Sequence, residues 1–563
     1  MKGKEEKPWL KYYDQGVPEH CEYPSIPIFQ LLRDTAQRYP NRTCTIFKGA
    51  RITYQEMEQL TDRLASALVR LGVKKGDRVG IFMPNIPQFV IAFFAILKAG
   101  GVVVTLNPLY TAREVEYQLK DSGVKILFAM SKFYPLVQQV RYNTFLEKVI
   151  VTNIKEALPL FTRFLFTLLI EAKDGHRVAL QEGDIWLPSL LEESKEVSFP
   201  EISAEDFAIL QYSGGTTGTP KGAIGLHRNL VANTIQVRTW MTTAVDGEEV
   251  TLMAIPLFHI YGMVVGMLVS VYMGSTMVMI PNPRDMKDLL TNLQKYRASI
   301  FPGVPTMYNA INNHKDVREG KYNLRSIKIC ISGSAPLLRE TKITFESITG
   351  GKLIEGYGLS EAPTATHCNP VQNENRVGSI GLPFPDVECR IVDLDDGVTD
   401  LPVDHIGELV VRGPQVFYGY HNMPEETAAV LRDGWLYTGD IARMDEDGFF
   451  YIVDRKKELI KPGGYQVWPR EIEEVIKEHP KVLEVGVAGV PDPYRGETVK
   501  AWVVLRNGET ATEEEIKEWC RERLAKYKVP TEIEFRSELP KTMVGKILRR
   551  ELVRQHKENN IGR

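Results

Sequence analysis

The sequence predicts an α/β protein: a large N-terminal unit of parallel β-sheets covered by helices, followed by a small α+β unit. Three observations lead there. The chain has 563 residues, more than one hydrophobic core usually supports, so two or more units are expected. Strand-like and helix-like segments alternate through much of its length, the rhythm of βαβ units. Near Gly407 that rhythm breaks into turn-rich pieces, and a different pattern fills the remainder.

The elements follow from their spacing. From Tyr54, the apolar residues Met57, Leu60, Leu64, Leu68 and Leu71 recur every three or four positions, which makes one buried face of a helix. Residues 79–83 form a short buried strand, and residues 87–98 a helix that is apolar almost all round. Ala99-Gly100-Gly101 ends that helix, and residues 102–106 are the next strand. Past Gly407, residues 408–412 and 449–453 are strand-like, with turns at Asp433-Gly434 and Asp447-Gly448. A highly charged run, residues 454–461, comes next and leads into Pro462-Gly463-Gly464. Beyond it lie about 100 residues, enough for a small domain. They read as a helix at 471–478, strands at 482–490 and 501–505, and a helix at 513–525. The expected division is therefore 1–453, a linker at 454–461, and 462–563.

Bulk chemistry narrows the function. A formal net charge of -3 is too balanced for a nucleic-acid-binding protein, so a polyanionic ligand would need a local positive site. The six cysteines (Cys21, Cys44, Cys330, Cys368, Cys389, Cys520) include no CxxC pair. That argues against a disulfide framework or a zinc site and for packing cysteines in a reducing, cytoplasmic setting. Residues 1–6 are charged and lack the apolar core of a signal peptide. Residues 157–170 are strongly apolar but contain Pro159 and Arg163 and fall short of the ~20 residues a spanning helix needs. A buried helix or loop against the main unit is the favoured reading. A helix on a membrane surface, or a guard at an apolar entrance, is the alternative.

The segment Ser213-Gly214-Gly215-Thr216-Thr217-Gly218-Thr219-Pro220-Lys221-Gly222 packs four glycines and four hydroxyl residues into ten positions. Glycines let backbone N–H groups turn toward phosphate oxygens, the hydroxyls add short donors, and Lys221 adds a positive charge. It is not a Walker A loop, which needs Gly before the Lys and Ser or Thr after it. Here Pro220 precedes Lys221 and Gly222 follows.

Residues 212–222 resemble the signature of the adenylate-forming superfamily, which includes acyl- and aryl-CoA synthetases, peptide-synthetase adenylation domains and beetle luciferases. The resemblance covers nearly the whole chain, with further segments in the right order. It implies that Ser213, Gly214, Gly215, Thr216, Thr217, Gly218 and Lys221 hold the phosphates of ATP.

Pro256-Leu257-Phe258-His259-Ile260-Tyr261-Gly262 resembles the family segment beside the acyl carboxylate. A lone His in an apolar run is usually a packed core residue, yet the resemblance makes His259 a residue that orients the carboxylate or closes the site. Ser332-Gly333-Ser334-Ala335-Pro336-Leu337 follows a strand, and in the family it lines the adenine and acyl sites, implicating Ser334 and Ala335. In Glu355-Gly356-Tyr357-Gly358-Leu359-Ser360-Glu361, Tyr357 can stack on a purine while Gly356 and Gly358 leave room. Ser360, where the family usually has Thr, can bond a phosphate oxygen. Glu361 can hold Mg²⁺ with Ser213 as a second contact, and Glu355 is grouped with the nucleotide site. Asp440 resembles the carboxylate that accepts both ribose hydroxyls, and Arg455 a second ribose contact.

Residues 454–461 resemble the family hinge, with Lys457 at the pivot and the small domain mobile about it. Lys461 is implied to reach the adenylate, and Gly463 and Gly464 to pass close to the pantetheine arm, with Trp468 a weaker candidate. Pro540-Lys541-Thr542-Met543-Val544-Gly545-Lys546 resembles the catalytic lysine loop, in which Lys546 neutralises charge at the α-phosphate.

The resemblance thus implies an acid:CoA ligase that uses ATP, Mg²⁺ and CoA. Residues 211–215 and 226–229 look closest to the fatty-acid branch, medium- and long-chain members above all. An aryl- or cinnamoyl-type CoA ligase is the main alternative, and an enzyme loading an acyl carrier is a third, weakened because no carrier segment follows Lys546. A non-catalytic nucleotide or acyl-CoA sensor is disfavoured by the presence of Lys546, Glu361 and Asp440. Asn559-Asn560-Ile561-Gly562-Arg563 is not a Ser-Lys-Leu peroxisomal address. The expected partners are a fatty acid, ATP and CoA, and no nucleic acid, in the cytoplasm or peripherally at a membrane surface. A homodimer stays open.

Overall fold

The computed structural model describes residues 7–192, 197–213, 220–462, 467–492, 495–542 and 545–561. In it the 3.6-residue spacing after Thr53 becomes the helix Tyr54–Arg70. Thr53 caps that helix by accepting the Glu56 N–H, and the Glu56 carboxylate accepts the Thr53 N–H in return. Its inner face packs on Pro87–Lys98, every residue of which is buried. Pro87 opens this second helix at a position where no N–H is needed, and Gly100, at φ +84°, follows its end. Full burial of Phe93 or Phe94 on it is worth about 1.5–3 kcal/mol each.

Among the described residues the central sheet has eight strands. Their order is Gly419–Tyr420, Lys221–Leu226, Phe207–Ser213, Val102–Thr105, Arg78–Phe82, Ile126–Met130, Lys148–Thr152 and Ile185–Trp186. From Phe207–Ser213 to Ile185–Trp186 all neighbours are parallel. The other edge is antiparallel, and Ser213 pairs with Lys221, so the two ends of the predicted phosphate loop lie side by side. Residues 214–219 between them lie outside the described residues.

A second sheet joins Val250–Met253, Thr276–Met279, Thr43–Phe47 and Ala50–Thr53. Single-residue bridges through Ile300 extend it to Ile329–Ser332 and Lys352–Gly358. The helices Tyr54–Arg70 and Pro87–Lys98 fill the space between the two sheets in one apolar cluster.

The expectation of parallel sheets is incomplete for residues 388–455. Glu388–Val392, Gly407–Arg412, Trp435–Met444 and Phe450–Arg455 pair antiparallel. Short turns are the reason for the last of these pairs and for the hairpin of Leu431–Arg432 onto Trp435, because a parallel crossover needs a dozen residues or more. At Asp433-Gly434 both φ angles are positive, +49° and +79°, as a type I′ hairpin turn requires.

The small unit has its own core around Ile472, Ile476, Val487, Val503, Ile516 and Cys520. Strands Val482–Asp492, Gly496–Leu505 and Glu532–Phe535 carry the helices Pro469–Lys477, Glu513–Arg521 and Arg549–Ile561. The third strand has no distinct sequence pattern. The helix expected to run to 525 stops at Arg521, and a 3₁₀ turn, Lys526–Lys528, lies beyond it.

Between the units, the strand Phe450–Arg455 runs two residues past the expected boundary, placing Arg455 opposite Asp440. One 3₁₀ turn, Lys456–Glu458, follows. The Asp454 carboxylate is 2% exposed and accepts the Arg470 N–H at 2.6 Å and the Arg549 guanidinium at 3.1 Å. Arg549 also pairs with Glu473 and Glu458.

The reading of residues 157–170 as a buried element is overturned. Leu160–Leu169 is a helix without one buried residue, and Leu160, Phe161, Phe164, Leu168 and Leu169 are between 60% and 82% exposed. Its apolar spacing is helical, but of residues 157–170 only Ala157 and Leu158, before the helix, and Phe166 within it reach the main core. Arg163 ties the helix down by donating to the carbonyls of Lys155 and Glu156. No described helix is long and apolar enough to cross a membrane.

Candidate active site

A cleft of about 1440 Å³ opens between the C-terminal ends of the parallel strands and the small unit. One wall is the strand Lys352–Gly358 and the turn after it. A Cβ on Gly358 would stand 1.7 Å from the Thr364 carbonyl oxygen, so only glycine fits there, whereas Gly356 has more room. Tyr357 between them lines the cleft, and its hydroxyl donates to Asp440. Asp440, 3% exposed, also receives Arg455 Nε at 3.1 Å. Burial raises the Tyr357 phenol well above its ordinary value, keeping it a donor. The ring, the carboxylate and the guanidinium form one bonded group.

Ser360 and Glu361 continue this wall. The Glu361 carboxylate accepts the Tyr420 hydroxyl at 2.7 Å. Lys221 faces the same tyrosine, its ammonium 5.1 Å from the ring centre, and pairs with Glu426. Tyr420 thus stands between a cation and a carboxylate that sequence reading assigned to phosphates and metal. Of the remaining loop residues, Gly214, Gly215, Thr216, Thr217 and Gly218 lie outside the described residues, as does the Ser213 side chain.

The opposite wall carries His259. Its segment is pinned because the Phe258 carbonyl accepts Thr105 Oγ1 at 2.7 Å and Gln211 Nε2 at 3.2 Å, and Asn85 accepts the Leu257 N–H. A Cβ on Gly262 would lie 2.2 Å from the Pro256 carbonyl oxygen, which explains the glycine where the π-helical turn Gly262–Leu268 begins. His259 Nδ1 accepts the Tyr261 N–H at 3.2 Å, leaving Nε2 as the protonated nitrogen of the neutral ring. Desolvation pushes its pKa down to about 4, so the imidazole is neutral near pH 7. Val237, Val265, Ile331 and Phe384 give this side an apolar lining.

Lys546 comes from the small unit and lines the same cleft. Its N–H is held by Thr542 Oγ1 at 3.1 Å, and Gly545, at φ +76°, sits close to Thr306 of the large unit. Burial, then the charge of Arg455, lowers the Lys546 pKa to about 8. Lys457 lines the cleft as well.

Other expected residues stand elsewhere. Ser334 reaches the cleft at φ +69°, but Ala335 is not part of its wall. Glu355 lies inside the sheet opposite Ser332, 6% exposed, where desolvation raises its pKa to about 8. Lys461 is exposed beside Glu497 and outside the cleft wall. Gly463 and Gly464 lie outside the described residues. Trp468 is buried at the start of the helix Pro469–Lys477. Tyr420, Glu426, Asp454 and Arg549 escaped the sequence reading. Their partners lie between 59 and 205 residues away for Tyr420 and Glu426, and no short motif marks such pairs.

The arrangement can seat a ring against Tyr357, a diol at Asp440, a polyanion between Lys221 and Lys546, and an apolar group beyond His259. Among the described residues no group of three or more His, Cys, Asp or Glu could hold a metal by itself. An ion that takes one carboxylate and fills its other positions with water and phosphate oxygens fits Glu361.

Comparisons with known proteins agree with this geometry. The AMP-binding enzyme family matches residues 32–421, and the AMP-binding enzyme C-terminal domain matches residues 471–546. A long-chain-fatty-acid–CoA ligase of Bacillus subtilis (strain 168) is 44% identical over 560 residues, 99% of each chain. One from Yersinia pestis is 39% identical over 556 residues, 97% of this chain and 98% of its own. The ATP-bound crystal structure of MatB from Rhodopseudomonas palustris superposes with a TM-score of 0.82 at 28% identity, covering 95% of this chain and 100% of that one.

His259 should remain neutral from pH 5 to 9. Imidazole ¹⁵N shifts, assigned by comparison with His259→Asn, are expected to stay constant over that range; a midpoint near 6.5 would contradict the desolvated geometry.

Proposed function

The chain belongs to the AMP-binding enzyme family, and we propose that it is a fatty-acid–CoA ligase whose two half-reactions share one cleft. In the first, a carboxylate oxygen of the acid attacks the α-phosphorus of ATP, the bond to the β-phosphate breaks, and pyrophosphate leaves. In the second, the CoA thiol attacks the acyl carbonyl, loses its proton, and AMP departs. The observation that carries this reading is the position of Lys546, which brings a charge from the small unit to the cleft that holds Lys221 and Asp440. The fatty acid follows from the apolar lining beyond His259 and from the names of the relatives above.

Asp440 and Arg455 hold the ribose, Tyr357 stacks on the adenine with Gly356 and Gly358 giving room, and Ser334 and Ser360 bond polar oxygens nearby. Residues 213–218 and Lys221 cradle the phosphates. Mg²⁺, held by Glu361 with Ser213, would neutralise charge between the phosphate oxygens. The neutral His259 donates Nε2–H to the acid and orients it. Lys546 stabilises the negative charge that builds on the α-phosphate, worth about 3–4 kcal/mol for a well-placed group.

The division 1–453, 454–461 and 462–563 then serves a rotation about Lys457. Turning the small unit withdraws Lys546 and opens a path for CoA past Gly463 and Gly464. Lys461 lies outside the cleft wall in this orientation.

Lys546→Ala separates the steps. Acid-dependent ATP–pyrophosphate exchange is expected to fall about 100-fold or more, while thioester formation from preformed acyl-AMP is largely kept. The charged ammonium is the working form, so exchange in the unsubstituted enzyme at low ATP, which reports the ligand-free cleft, should decline as pH rises through about 8. Equal loss of both steps, or the same pH decline in Lys546→Ala, would contradict the assignment.

The exposed helix Leu160–Leu169 fits a cytoplasmic enzyme that touches a membrane, where its fatty acid dissolves. Its outward apolar face is followed by the exposed Lys173 and Arg177. Replacing Phe161, Phe164 and Leu168 together by Ser is expected to abolish sedimentation with phosphatidylglycerol vesicles and to leave turnover of octanoate intact. Unchanged sedimentation would end this reading.

A further inference from the structure

A second depression opens where the strands Thr43–Phe47, Val250–Met253 and Thr276–Met279 begin, at the opposite end of their sheet from the His259 segment. It encloses about 850 Å³ and shares no lining residue with the cleft. Four cations line it, Arg42, Arg51, Lys295 and Arg297, against the single carboxylate of Glu248. Two cations nearby are answered, Lys48 by Asp288 and Lys328 by Glu249. Among the described residues, Arg51, Lys295 and Arg297 have no ion pair and no side-chain hydrogen bond. Arg42 donates Nη2 to the Glu249 carbonyl at 3.1 Å, while its Nε is buried without an acceptor.

Arg297 adds an independent sign. It follows the helix Met286–Lys295 at φ +51°. The N–H groups of Arg297 and Ala298 close the helix on the carbonyls of Gln294 and Leu293, a turn whose left-handed position usually holds glycine. A residue with a Cβ is disfavoured there, where the Cβ crowds the following carbonyl oxygen. The chain therefore keeps a charge at a position where backbone chemistry favours glycine, a pattern expected at functional positions.

We propose that this depression is an anion site for a ligand bearing two or more phosphate groups, separate from the catalytic cleft. Guanidinium forks match phosphate oxygens two at a time, the Arg42 Nε–H would gain an acceptor, and the excess of positive charge favours a multiply charged ligand. The phosphates come either from a soluble molecule or from clustered lipid headgroups.

Calorimetric titration of the full chain with inorganic pyrophosphate is expected to resolve two sites. Arg51→Ser combined with Arg297→Gly should lose one of them, and Lys221→Ala the other. The double variant should hold its Tm, because glycine suits φ +51° and Arg51 makes no ion pair among the described residues, so a lost site would not reflect unfolding. Two sites retained in the double variant, or a single site in the unsubstituted protein that only Lys221→Ala removes, overturns the proposal. Sedimentation with phosphatidylglycerol and with phosphatidylcholine vesicles separates the sources. Loss of the pyrophosphate site together with weakened binding to the anionic vesicles alone assigns lipid headgroups; loss of the pyrophosphate site with vesicle binding unchanged assigns a soluble phosphate ligand.

Discussion

The Asp454 carboxylate holds the two units in register. It is buried at the end of the last strand of the large unit, and it bonds the first turn of one helix of the small unit and the arginine that opens another. Arg549 carries the contact onward to Glu473 and Glu458, which ties the turn Lys456–Glu458 to the small-unit helices. Losing one partner of such a buried pair typically costs about 3–5 kcal/mol, enough to decide which orientation is populated. Because the clasp sits three residues before Lys457, the turn proposed about that residue would have to break it. Together with the Arg470 Nη1 bond to the Ile452 carbonyl at 2.7 Å, this carboxylate fixes the small unit where Lys546 lines the cleft.

The cleft is built to make charge effective. Asp440 is answered by Tyr357 and Arg455, Glu361 by Tyr420, and Lys221 by Glu426, so each polar group is already oriented before any ligand arrives. Partial desolvation strengthens these interactions relative to water. It also lowers the proton affinity of Lys546, while the nearby Arg455 disfavours a second positive charge. A polyphosphate entering between them relieves that repulsion. The neutral His259 marks where the charged part of the cleft gives way to the apolar part.

Much of this was legible in the sequence, for physical reasons that differ by region. The helices Tyr54–Arg70 and Pro87–Lys98 follow from apolar spacing and from a cap residue and a proline at their starts. Asp433-Gly434 marks a hairpin because few other pairs tolerate two positive φ angles. The segments holding Tyr357, His259 and Lys546 were recognisable as strings, and the fold brings them to one cleft. Strings could not show that Glu355 lies inside the sheet, since one residue of strand register decides it. Nor could they reveal Tyr420 or Asp454, whose partners are set by tertiary packing. The helix Leu160–Leu169 shows the limit of hydrophobicity as a guide: its pattern announced a helix but not which side of it, if any, the protein covers.

These features converge on a cleft that joins a fatty acid to CoA at the expense of ATP. The most direct test is pyrophosphate release dependent on both ATP and CoA, measured with acetate, octanoate, palmitate and coumarate. Release with palmitate and octanoate, little with acetate and none with coumarate, is the expected result. Release with coumarate alone would contradict the apolar lining beyond His259 as a fatty-acid site.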